Sequence, residues 1–311
     1  MKDVQISIII ATRNREAILW QTVEKAIAAI EGKNAEIIIV NDGDQTLVPG
    51  EAIANKIQFL NNPFRGVSFA RNFGAANAKG NILFFIDDDM WINSEAIDWI
   101  AHFMQEEKNN KAVYNLNWQY PDELNTALNK TKIGRFLFIA AYHRMWGRMK
   151  QNGTEPQQGF YECNSIASCS LLMHKNLFNT IGGYRQEFIF QGEDIELSNR
   201  LRSLNIPIYA VFDVLLYHNH QDRMEIHGFL KRVEQGYQSE FKARAAGFLP
   251  KIDEEFTGSK KTAFEIIRIT EPLWIFTYKV LPNLSLLNKL NARMVGLLSG
   301  LQKFKQWKNN R

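Results

Sequence analysis

The segment GVSFARNFGAANAKGNILFFIDDDMW, Gly66–Trp91, joins a helical pattern to an apolar run that ends on three aspartates. Its first half spaces apolar residues as one helix face and closes on Gly80. Its second half, NILFFIDD (81–88), is unbroken and rich in Ile and Phe, as in a strand buried on both faces of a parallel sheet. Two runs of the same kind precede it, ISIIIAT (6–12) and AEIIIVND (35–42). Between them REAILWQTVEKAIAAIEG (15–32) recurs at helical spacing and stops at Gly32. This alternation predicts a doubly wound α/β fold, a mostly parallel central sheet flanked by helices and joined by right-handed crossovers.

Each run is followed by polar residues: Thr12, Arg13 and Asn14 after the first, Asn41 and Asp42 after the second, Asp87, Asp88 and Asp89 at the third. Parallel strands deliver all three sets to one carboxyl edge, where open α/β sheets bind ligands. One such set is the ordinary composition of a solvated loop; three together point to a site.

The chain has 311 residues, 45% hydrophobic and 23% charged, which suits a globular protein with a large core. A net charge of +4 is too mild to indicate a nucleic-acid partner. Cys163 and Cys169 lack metal-ligand spacing and read as free thiols in a reducing compartment. The opening MKDVQISIIIATRN has too short an apolar run for a signal peptide, and no stretch approaches about 18 uncharged apolar residues. A cytoplasmic protein is expected.

Residues 110–160 are rich in aromatics, among them Tyr114, Trp118, Tyr120, Phe136, Phe138, Tyr142 and Trp146, with no single period. Packing of an inserted helix pair is the plain expectation; a wall or lid for a sugar-like acceptor is the sharper one. Further on, GGYRQEFIFQGEDIELSNRLRSLNIPIYAV (182–211) predicts a glycine turn, a helix opened by Glu193 and Asp194, and a strand. Acids in a first helical turn are also favoured by the helix dipole alone. From Phe264 to Asn310 the chain mixes Leu, Ile, Trp and Phe with scattered Lys and Arg, broken by Pro272 and Pro282. Basic amphipathic helices of this kind either pack on a catalytic domain or lie in a membrane interface.

The aspartates can serve several chemistries. A dinucleotide site needs a glycine-rich turn after the first strand, and ATRNRE (11–16) contains no glycine. A phosphate loop of the GxxxxGK[ST] type is absent. An aspartyl phosphatase resembling the haloacid-dehalogenase pattern places Thr or Val where this chain has Trp91, and its motif lies on the first strand. A metal-dependent nucleotidyltransferase needs a basic glycine-rich loop that is missing here. There remains a divalent cation, Mn²⁺ or Mg²⁺, shared between carboxylates and the phosphates of a nucleotide. On an extended chain Asp87 and Asp89 project to one side and Asp88 to the other.

SIIIATRNRE, IIIVNDGD, GVSFARNFGAANAKGNILFFIDDD and GEDIELSNRL together resemble the successive motifs of the family 2 glycosyltransferases of GT-A fold, over roughly residues 4–220. The resemblance implies a metal-dependent, inverting transfer of a sugar from a nucleotide-sugar donor, with a UDP-sugar expected. The acceptor would be a hydroxyl of a saccharide or lipid-linked glycan, in polysaccharide or cell-surface glycan synthesis. It also implies roles. Thr12, Arg13 and Asn14 would line the nucleotide pocket, Asp42 would receive the base, and Arg71 would stand near the diphosphate. Asp87 would lie near the ribose with Asp88 beside it, and Asp89 would ligate the metal. Asp194 would be the catalytic base, with Glu193 beside the acceptor. A histidine after the next strand completes the metal site in such enzymes; LLYHNHQDR offers His218 and His220, of which His218 is favoured. The turn VNDGD departs from the common pair of acids, because Asn41 brings no charge. The expected domains are a catalytic 1–230 and a basic, mostly helical 231–311 whose amphipathic helices are compatible with peripheral contact at the inner face of a membrane. The alternatives are a sugar-nucleotide-binding protein that kept the fold without transferase activity and a metal-dependent nucleotidyltransferase.

Overall fold

The computed structural model describes residues 5–145, 158–189, 191–220, 225–249 and 256–310. In chain order the elements are β1 (Ile6–Thr12), α1 (Glu16–Ala29), β2 (Ala35–Asn41), α2 (Glu51–Ala54), β3 (Gln58–Asn61), α3 (Val67–Asn77) and β4 (Ile82–Asp87). There follow β5 (Met90–Trp91), α4 (Ser94–Phe103), β6 (Val113–Gln119), α5 (Asp122–Asn129), α6 (Lys132–Ile139), β7 (Phe160–Glu162), β8 (Ser170–His174) and α7 (Lys175–Thr180). The chain continues with α8 (Glu193–Ser203), β9 (Ile208–His218), α9 (Ile226–Ala245), α10 (Gly258–Ile269), α11 (Glu271–Val280) and α12 (Asn288–Asn309).

The sheet order is β3-β2-β1-β4-β8-β6-β9-β5, with β7 also paired to β9. Strands β3, β2, β1 and β4 are mutually parallel, and β6 is parallel to β9. Strand β8 alone runs against both its neighbours β4 and β6, so its beginning lies at the edge where the parallel strands end. The three apolar runs read from sequence are β1, β2 and β4. Alternate residues serve opposite faces: Ile8, Ile10, Phe84 and Ile86 join the cluster under α1 and α4, while Ile9, Leu83 and Phe85 join the one under α3 and α8. Burial on both faces explains why these strands show no polar alternation.

Packing divides the chain into two compact units, residues 1–120 with 144–219, and 121–143 with 220–311. The boundary expected after residue 230 falls inside α9, and the second unit also takes in α5 and α6. Its core holds Ile133, Ile226, Leu230, Met294 and Leu298, with a second cluster of Phe241, Phe256, Phe304 and Trp307. The aromatic stretch is thereby split. Tyr114 and Trp118 lie on β6, Phe136 and Tyr142 pack with Phe229 in the second unit, and Trp146 lies outside the described residues. Pro272 stands in the first turn of α11 and Pro282 just beyond its end, the positions proline tolerates. Lys132 Nζ closes the end of α11 on the carbonyls of Tyr278, Lys279 (3.1 Å) and Leu281 (2.9 Å). Among the described residues no helix is long and apolar enough to cross a membrane.

Candidate active site

The carboxyl ends of β1, β2 and β4 meet as expected: Thr12 pairs with Asn41, and Ala11 with Asp87. At the β1–β2 end a polar pocket forms. Asp42 Oδ1 accepts from Asn62 Nδ2 at 2.6 Å and from the Gly66 amide at 2.8 Å. Arg13 lies 3.8 Å from its other oxygen and 3.6 Å from Asp44. Asn14 takes a positive φ of 55° and exchanges hydrogen bonds of 3.0 Å with the amide and carboxylate of Asp44. A Cβ on Gly43 would come within 2.7 Å of Asn14 Oδ1 and 2.9 Å of Asn41 Oδ1, so a larger residue there would displace both side chains from their hydrogen bonds. Asn41 is spent on that turn: its side chain binds the Gly43 amide at 2.9 Å and the Gln45 carbonyl at 2.8 Å.

The aspartate triplet is not extended. Strand β4 ends at Asp87, and Asp88 and Asp89 form the turn into β5. The alternation expected of them is therefore lost, and Asp88 and Asp89 converge on one guanidinium. Arg15 binds Asp88 Oδ1 with one nitrogen and Asp89 Oδ2, at 2.7 Å, with the other. Thr12 Oγ1 donates to Asp88 Oδ2 at 2.6 Å, and Thr22 Oγ1 donates to the Asp88 carbonyl at 2.8 Å. Burial pushes the Asp88 carboxyl up to about 7, against the pull of Arg15 and with the push of Asp89. Asp89 is fully buried, and its Oδ1 stands 2.9 Å from His218 Nε2. The Trp118 indole meets the His218 ring edge-on, with centroids 4.7 Å apart. Strand β5 fixes this contact by pairing Met90 with His218.

His220 is next but one along the chain, and Asp89, His218 and His220 each offer a ligand atom, all within 4.8 Å of one another. One carboxylate and two imidazoles make a mixed oxygen and nitrogen set. That set fits Mn²⁺ better than Mg²⁺, which favours oxygen alone.

A second guanidinium organises the other end. Arg71, buried on α3, reaches Asp87 Oδ1 at 2.8 Å and Glu193 Oε1 at 2.7 Å, and its carbon lies 5.4 Å from the Tyr184 ring centre. Glu193 Oε2 and Arg71 Nε are buried with no hydrogen-bond partner among the described residues. Asp194 follows Gly192, whose left-handed φ of 99° starts α8. Its carboxylate accepts from the Ser168 amide at 3.3 Å to each oxygen, and from the Ser168 hydroxyl. Ser168 Oγ also meets the Tyr184 hydroxyl at 2.8 Å. Burial and then the Glu193 charge push the Asp194 carboxyl up to about 7, opposed by Arg71 and Ser168. Ser168 stands here because β8 is reversed and begins just after it.

All residues singled out from sequence thus lie in one of three groups: Arg13, Asn14 and Asp42; Thr12, Asp88, Asp89 and His218; and Arg71, Asp87, Glu193 and Asp194. Sequence reasoning passed over Arg15, Ser168 and Tyr184. Arg15 had a visible signal, a second basic residue directly after the first strand in TRNRE. Ser168 and Tyr184 had none, since they meet Asp194 only through the fold.

Residues 7–182 match the family described as glycosyl transferase family 2, more than half of the chain. Glycosyltransferase GlyA of Streptococcus pneumoniae is 31% identical over 119 residues, 36% of this chain and 17% of its own length. An uncharacterized glycosyltransferase of Rickettsia typhi, RT0329, is 22% identical over 80% of this chain and 73% of its own. The match thus spans less than a fifth of the Streptococcus relative. In fold the protein is similar to the mannosyltransferase PcManGT of Pyrobaculum calidifontis, solved with GDP-Man and Mn²⁺, with a TM-score of 0.55 at 11% identity over 99% of this chain and 88% of that one. The chain belongs to glycosyl transferase family 2 and has the mostly parallel α/β fold expected from its sequence.

Proposed function

We propose that this enzyme transfers a sugar with inversion from a nucleotide-sugar, a UDP-sugar first of all, to a hydroxyl of a saccharide or lipid-linked glycan. One observation carries the reading. A carboxyl raised to about 7, Asp194, shares a sheet edge with the carboxylate–imidazole set of Asp89, His218 and His220. The first suits a general base working near neutral pH, and the second suits a divalent ion.

Asp42, with Arg13 above it and Thr12 and Asn14 alongside, receives the base; Asp87, the most exposed of the triplet, faces the ribose. Asp88 is held by Thr12 and Arg15 and sets the turn that aims Asp89. Asp89, His218 and His220 would hold Mn²⁺ or Mg²⁺, which when bound would supply Lewis acidity to the departing diphosphate. Arg71 adds positive charge at the same end. Asp194, held by Ser168, takes the proton from the acceptor hydroxyl, with Glu193 beside it. A base is needed because a sugar hydroxyl is a poor nucleophile at neutral pH.

Thermal shifts with UDP-, GDP- and dTDP-sugars, with and without Mn²⁺, test the donor. A UDP-sugar is expected to stabilise the enzyme most, and Asp89→Ala to lose the Mn²⁺-dependent part. Proton NMR of the product should show the anomeric configuration opposite to the donor's; retention would overturn the one-step displacement. Donor binding without transfer to any acceptor would favour a binding protein of the same fold.

A further inference from the structure

The second unit carries an apolar face that its own core leaves uncovered. Helices α10 and α11 share Thr270 as the end of one and the start of the other, so their side chains continue one pattern with little interruption. Along it Ile266, Ile269, Leu273, Phe276 and Val280 follow one another at spacings of three and four, the repeat that keeps side chains on one helix face. Each is between 58% and 71% exposed, and Leu286, beyond the end of α11, is 78% exposed. The opposite side of α11 is occupied: Tyr278 is buried, with Trp274 and Ile275 packed into the same core. Eight of the sixteen large apolar residues exposed among the described residues fall between Ile266 and Leu290. A contiguous concentration of this kind marks an interaction surface, whereas scattered exposed apolar residues are ordinary.

Charge decides what the surface faces. From Phe256 to Asn310 there are nine Lys and Arg against two carboxylates, Glu265 and Glu271. Both carboxylates are already neutralised, Glu265 by Arg268 and Lys308, and Glu271 by Lys305. Lys261, Lys279, Lys289 and Arg293 are exposed and make no ion pair among the described residues. Lys279 sits within the apolar stripe, between Phe276 and Val280, and Lys289 adjoins Leu290. A second copy of the chain is a poor occupant. The stripe lasts only two heptads, its flanks carry no complementary charge pairs, and two-fold pairing brings cations to cations.

We propose that the α10–α11 face lies flat on an anionic lipid bilayer. The Ile266–Val280 stripe would enter the headgroup boundary while the unpaired lysines meet lipid phosphates. No segment spans the bilayer in this arrangement; the protein docks reversibly, with apolar burial and charge both required. The inference is independent of the donor and mechanism proposed above.

The test is co-sedimentation of the full chain with vesicles of phosphatidylcholine alone and of phosphatidylcholine with phosphatidylglycerol. Binding to the anionic vesicles only, weakened by added salt, is the expected result. Lys261→Gln, Lys279→Gln and Lys289→Gln together should weaken it by about a hundredfold. Leu273→Glu with Phe276→Glu should abolish it. Both variants should keep the wild-type circular dichroism spectrum and Mn²⁺-dependent thermal shift. Failure of the wild type to bind anionic vesicles at low salt would overturn the proposal. So would a wild-type dimer in light scattering that the Leu273→Glu, Phe276→Glu variant dissolves, since the face would then belong to a second copy.

Discussion

The two ends of the candidate active site each hold more carboxylates than arginines and relieve the excess differently. At the aspartate turn, Arg15 bridges Asp88 and Asp89, and imidazoles complete a place for a divalent ion. At the start of α8, Arg71 bridges Asp87 and Glu193, and Asp194 lies buried beside Glu193 with Ser168 donating to it. Each end keeps one carboxyl raised to about 7, Asp88 at the first and Asp194 at the second; the first adds imidazoles beside its acids, and the second adds the Ser168 hydroxyl and amide. The transfer proposed above asks for a place for a cation and for a carboxyl that can take a proton within one cluster.

The largest expected effect breaks the second end. Asp194→Asn should lower transfer by about a thousandfold while donor affinity, read by calorimetry, holds. A loss below tenfold would remove Asp194 as the base. Next, Arg71→Gln leaves Glu193 and Asp87 without their shared cation and should cost about 3 kcal/mol in urea unfolding. Arg15→Gln should cost less, about 2 kcal/mol, because Arg15 is partly exposed. Mn²⁺ should restore much of the Arg15→Gln loss and little of the Arg71→Gln loss. Equal rescue of the two variants would erase the distinction between the ends.

The smallest effect sharpens the comparison. Transfer should fall as pH drops through the Asp194 value near 7, because the base takes up its proton. Ser168 donates to the ionised form, so Ser168→Ala should move that limb upward by about one pH unit, and Ser168→Thr should return it. An unmoved limb would make Ser168 a packing residue only.

Strand runs such as ISIIIAT and NILFFIDD were legible because burial on both faces leaves a continuous apolar signature. The direction of β8 was not, since SLLMH has the same composition whichever way it runs, and direction comes from pairing with β4 and β6. Strand β3 is short, lies at the sheet edge and carries no such run. The residue types of the site were visible through the acids that end each strand and the GED segment. Which acid meets which cation was not. Alternation along an extended chain put Asp88 apart from its neighbours, and the turn at 88–89 instead brought it with Asp89 onto Arg15.

Strand β9 carries a consequence for how this protein can change. Its residue Val211 pairs with Leu116, and the next pairing joins Leu215 to Asn117, so Phe212–Val214 are looped out of register. The first part of β9 pairs with β7 and the last part with β5, which leaves His218 facing Asp89. Side chains alternate along a strand, so sliding the last part of β9 by one residue against β6 and β5 would turn His218 away and bring Tyr217 or Asn219 toward the aspartate. Phe212–Val214, out of register with β6, is the stretch whose length can drift without that slide.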